Sequence, residues 1–66
     1  MEIYRNYFNL GVVARKLGLL DDSIESLKIA ANALNPSKAI AWNSLGLSYF
    51  EKGNIEAALS SYNSAI

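Results

Sequence analysis

Asp21-Asp22, with Glu25 close behind, is the densest set of groups in this chain that could move a proton. A carboxylate pair does acid–base work when both groups reach one reacting atom. Neighbours on a helix point about 100° apart, so Asp21 and Asp22 do not converge, and negative charge at a helix start accounts for them. The 66 residues include no cysteine and no histidine. Disulfides, thiolate chemistry, the commonest general base and the commonest metal ligand are thereby removed together. The sequence holds no glycine-rich phosphate loop, no nucleophile beside a base and no metal-ligand spacing. It is read as a non-enzyme that needs no cofactor and no metal.

Charge excludes two classes of partner. Six basic and six acidic side chains cancel, and neither sign forms a block. Nucleic acid and anionic lipid both require clustered Lys and Arg, so neither is expected. No apolar run reaches the roughly 18 residues of a spanning helix, and Met1-Glu2-Ile3-Tyr4-Arg5 does not resemble a leader. A soluble, cytoplasmic chain is expected. With 52% apolar residues it should fold rather than remain disordered.

The residues repeat. Displaced by 35 positions, Tyr7-Phe8-Asn9-Leu10-Gly11 falls on Trp42-Asn43-Ser44-Leu45-Gly46, and Gly18, Ser26 and Ala30 fall on Gly53, Ser61 and Ala65. Within each copy, helical periodicity gives two elements. The first helices bury Tyr7, Leu10, Gly11 and Ala14 in one copy and Trp42, Leu45, Gly46 and Tyr49 in the other. The second helices span about 20–34 and 55–66, with apolar sets that include Leu20, Ile24 and Leu27, then Ile55, Leu59 and Tyr62. Gly18 and Gly53 are placed to close the first helix of each pair. Asn54 is a candidate N-cap, and Asp22 with Glu25 has capping-box spacing. Asn35-Pro36-Ser37 separates the copies, with Ser37 as a cap for the next helix. Gly11 with Ser23, and Gly46 with Ala58, are expected to face each other within the hairpins, with Trp42 and Tyr62 filling the surrounding space.

The second copy, Trp42-x-x-Leu45-Gly46-x-x-Tyr49 followed by Ala58-x-x-x-Tyr62 and Ala65, resembles a tetratricopeptide repeat. The first fits at Tyr7, Leu10, Gly11, Leu27, Ala30 and Pro36. It departs at Ala14, where tyrosine is usual, and at Ser23, where alanine is usual, and it carries one extra residue. The resemblance implies an all-α fold: two tandem helix-turn-helix repeats, four antiparallel helices in all, stacked as an α-solenoid fragment. It gives one domain over 1–66, with repeat one at about 4–36 and a truncated repeat two at about 37–66.

A second stripe on the first helix of each repeat points away from its hairpin partner at i, i+3, i+7 and i+10. It comprises Arg5, Phe8, Val12 and Arg15 in one repeat and Ile40, Asn43, Leu47 and Phe50 in the other. In the family resembled, this stripe lines a concave groove that binds peptides and helices of partner proteins. Here it is mostly apolar, so a cover is expected, with Arg5, Arg15 and Asn43 orienting it. The resemblance also implies that the groove is not the clamp for acidic chaperone tails, because Phe8, Val12 and Ser44 stand where that clamp needs Lys and Asn. The expected partner is a protein or peptide. The alternative is another copy of the chain, forming a dimer or small oligomer around the groove or the terminal helix. Two repeats are fewer than the three usually needed for stability. The helix running into Ile66 without a polar cap adds to the expectation of a fragment or an oligomer.

Overall fold

The computed structural model describes residues 2–33 and 38–65. Four helices follow one another: α1 (Glu2–Lys16), α2 (Leu20–Asn32), α3 (Lys38–Lys52) and α4 (Ile55–Ala65). No strand occurs among the described residues. The expected cap at Ser37 and the Asn35-Pro36 break lie outside them.

Both hairpin turns are built the same way. Leu19 N–H donates to the Ala14 carbonyl at 2.8 Å and Gly18 N–H to that of Arg15 at 3.0 Å. In the second copy, Asn54 N–H donates to Tyr49 at 2.9 Å and Gly53 N–H to Phe50 at 3.0 Å. This pair of hydrogen bonds across a left-handed residue closes a helix by satisfying its last carbonyls. Gly18 and Gly53 supply the left-handed residue, with φ of 81° and 94°. The turn then starts the next helix. Asn54 caps α4, its Oδ1 accepting from Ala57 N–H at 3.2 Å.

The capping box expected at Asp22 and Glu25 does not form. The equivalent turn places Leu19 at the N-cap, where no side chain bonds the helix. Asp21 and Asp22 fall inside the first turn, where they favour the positive end of the helix dipole. The helix end also differs slightly from expectation. α2 stops at Asn32, because Ala33 is extended, with φ −74° and ψ 152°.

Within each hairpin the helices approach closely where a side chain is missing. A Cβ on Gly11 would stand 2.5 Å from Leu27 Cγ, and one on Gly46 would stand 2.8 Å from the Tyr62 ring. Ser23 Oγ–H donates to the Gly11 carbonyl at 2.7 Å, which ties α2 to α1. Contacts run in opposite order along the two helices, Ala14 meeting the turn and Tyr7 packing towards Ala30, so the hairpin is antiparallel.

Both buried clusters join the two hairpins. One buried cluster joins Ile24 and Leu27 of α2 to Leu45 of α3, and another joins Ala30 and Ala31 to Ala41. Phe8 and Trp42 pack against both. Among the described elements, α2 therefore packs on α1 and on α3, whereas α4 packs on α3 alone. The Ser23 hydroxyl, its proton given to Gly11, accepts from Ser48 Oγ at 2.8 Å across the α2–α3 joint.

Leu10 corrects the sequence reading. Helical spacing places it with Leu45 against the hairpin partner, yet it is exposed. The face it shares with Tyr7 and Ala14 is the right one, but Leu45 is covered by α2 of the preceding repeat and Leu10 has no such neighbour. Ile55 and Leu59, on the outer side of α4, are exposed as well.

Candidate functional site

The stripe expected to bind a partner is carried by α1 and α3, which touch lightly beside the α2–α3 joint. Ile40 and Phe50 are each more than half exposed, and Arg5 and Asn43 are exposed as well. Val12 and Leu47 are half-buried. Phe8 is divided between roles, because it lies on the stripe and also packs against both core clusters.

Arg15 is already engaged. Its Nη1 donates to Glu51 Oε2 at 3.1 Å, so the α1 end of the stripe is joined by an ion pair to the end of α3. The pair neutralises the charge that was expected to orient a partner and leaves Arg5 as the stripe's other cation. Lys52 pairs with Asp21 on the far side, tethering α2 to the C-terminal end of α3. The acidic run thus serves a helix start and an inter-repeat tether. Among the described residues, no group of His, Cys, Asp or Glu is placed to hold a metal. No helix among them is long and apolar enough to cross a membrane.

A second surface is more apolar than the stripe, and helical spacing alone does not single it out. On the outer side of the first hairpin, an open groove of about 520 Å³ is lined by Leu10, Val13, Leu17, Leu19 and Ile29, with Asp22 and Glu25 at its rim. All five of these apolar side chains are substantially exposed. A signal for it is present in the internal alignment. Val13, Leu17, Leu19 and Ile29 fall on Ser48, Lys52, Asn54 and Ser64, so the first copy is apolar where the second is polar.

The comparisons agree with this architecture. A family model described as tetratricopeptide repeat matches residues 8–66. No curated protein and no solved structure gives a significant match. Repeats of that family are generally protein–protein interaction modules. Two helical hairpins of one sequence pattern, closed by matching glycine turns and packed through α2 and α3, carry the motif over most of the chain, which belongs to the tetratricopeptide repeat family.

Proposed function

We propose that this chain is a non-enzymatic protein-binding scaffold whose α1–α3 stripe forms a concave groove for an apolar peptide or helix of a partner protein. It acts as one domain over 1–66, with repeats at about 4–36 and 37–66, in the cytoplasm. The observation that carries the reading is the exposure of Ile40 and Phe50, on a face whose neighbours Val12 and Leu47 are only half-buried. Burying a large apolar side chain gains about 1.5–3 kcal/mol, and a row of them one helical turn apart matches the spacing of an amphipathic helix or an extended strip. Asn43 and Arg5 supply polar contacts at the rim. Neither nucleic acid nor a lipid surface fits a stripe of this composition.

Selection of a displayed random peptide library on the chain tests this. Enriched peptides should carry apolar anchors and lose binding to Ile40→Asp and Phe50→Asp, while keeping it for Leu59→Glu on α4. Enrichment without apolar anchors, or binding indifferent to Ile40 and Phe50, contradicts the groove. A second reading, in which another copy of the chain covers an exposed face, is favoured by the bare Leu10 and Val13.

A further inference from the structure

Arg15 and Glu51 stand where the two rows of the stripe end, and the ion pair between them bridges the groove near the C-terminal ends of α1 and α3. Nothing local calls for an acid there. Glu51 lies in the last turn of α3, where the negative end of the helix dipole disfavours a carboxylate. The repeat pattern does not supply it either, because the equivalent residue of the first copy is Lys16. The pair holds little of the fold, since its side chains are 22% and 39% exposed and partly solvated. What it fixes is the chemistry of one end of the stripe.

Two details decide what a partner meets at that end. The Arg15 side chain is the more buried member and Glu51 the more exposed, so an arriving segment reaches the carboxylate first. The contact also runs through one nitrogen only. Arg15 Nη1 donates to Glu51 Oε2 at 3.1 Å, while Arg15 Nε is buried without a hydrogen-bond partner. An arginine fork takes a carboxylate most strongly through two bonds, so Glu51 occupies Arg15 without saturating it. Glu51 is held in turn. Its neighbour Lys52 pairs with Asp21 of α2, which ties the last turn of α3 to α1 on one side and to α2 on the other.

We propose that Glu51 sets the specificity of the α1–α3 groove by occupying Arg15, so that the bound segment is uncharged where it crosses Phe50 and segments with an acidic residue there are disfavoured. The proposal rests on the reading of that groove as a peptide site. A partner carboxylate brought to this end meets the Glu51 charge and the negative ends of two helix dipoles, while the Arg15 charge is already engaged. An amide or hydroxyl carries no such penalty and can donate a hydrogen bond to Glu51. Repulsion of the wrong partner is as effective a source of selectivity as attraction of the right one.

Paired peptides test this. A peptide selected on the wild-type chain is remade with Asp, and separately with Asn, at each position in turn, and the Kd ratio of the two forms is measured by fluorescence anisotropy. On the wild-type chain one position should favour Asn over Asp by about tenfold, the scale of one like-charge contact. On Glu51→Gln the preference at that position should reverse to Asp, and on Glu51→Gln with Arg15→Gln it should vanish. Each ratio compares two peptides on one protein, so a general change in affinity cancels. Circular dichroism verifies that the variants keep their helices, and Glu51→Ala and Arg15→Met replace any that does not. Equal ratios on the wild-type chain and Glu51→Gln would overturn the proposal and leave the groove reading intact. A reversal that survives the loss of Arg15 would overturn it as well, because the attraction would then come from another cation. Peptides whose binding ignores both Ile40→Asp and Phe50→Asp would remove the groove itself, and the proposal with it.

Discussion

Gly11 and Gly46 occupy the same position in the repeat but face different neighbours. Leu27 beneath Gly11 is fully buried, whereas Tyr62 beneath Gly46 is half-exposed. Replacing a mid-helix glycine by alanine gains about 1 kcal/mol of helix propensity, and overpacking a fixed neighbour costs about 1–3. Gly11→Ala should therefore destabilise the chain, and Gly46→Ala should be tolerated, the Tyr62 ring swinging outward. Urea midpoints compare them, and the reverse order would place the tight contact in the wrong hairpin. The Ser23–Ser48 pair gives a second residue-level expectation. Ser23→Ala leaves a buried Ser48 hydroxyl without its partner, at a cost of about 1–3 kcal/mol, whereas Ser23→Ala with Ser48→Ala should recover part of that loss. Additive losses in the double-mutant cycle would show that the hydroxyls do not interact. The close approach at both glycines was legible because repetition marks them, and Gly11 does meet Ser23, but the side chains that crowd them are Leu27 and Tyr62, whereas helical spacing pairs Gly46 with Ala58. The serine pair was not legible, since Ser48 lies 25 residues from Ser23 and no spacing rule links them.

Each second helix begins from the same glycine turn, and the two starts differ in one residue. Asn54 caps α4 through its side chain, while Leu19 offers α2 nothing. Asn54→Ala should lower stability by about 1 kcal/mol, read from the thermal or urea midpoint. No change on removing the amide would mean that the turn alone sets the helix start. The four helices, both turns and the Asn54 cap were legible, because periodicity and glycine position act locally. The capping box at Asp22 misled because its spacing is also satisfied inside a first turn, and the turn geometry decides where the helix starts. Leu10 shows the limit of periodicity more clearly. Helical spacing identifies the face that a neighbour would cover, and it is silent on whether a neighbour exists. The Arg15–Glu51 pair escaped for a related reason, since its partners belong to different repeats, 36 residues apart. Being partly solvated, it should contribute less than about 1 kcal/mol, so Glu51→Gln should barely move the midpoint.

For the whole molecule, the position of the core is decisive. Both buried clusters found among the described residues are shared between α2 and α3, so each hairpin depends on the other for its packing. A peptide of residues 1–33 should show little helix by circular dichroism, and a folded one would contradict this placement. In the intact chain, amides of α2 and α3 should exchange slowest, with α4 the fastest of the second helices because it rests on α3 alone. The repeat architecture was legible at this scale from one 35-residue displacement. The outer groove was not, because likeness between the repeats marks the shared core, and the groove lies where they differ. As proposed, the exposed stripe of α1 and α3 binds protein while α2 and α3 hold the fold. Amide-resolved NMR titration with a library-selected peptide tests it most directly. Shifts should concentrate at Val12, Asn43, Leu47 and Phe50, with Glu56, Ser60 and Asn63 of α4 unmoved. Shifts centred on α4, or on the outer groove at Leu10 and Val13, would contradict it.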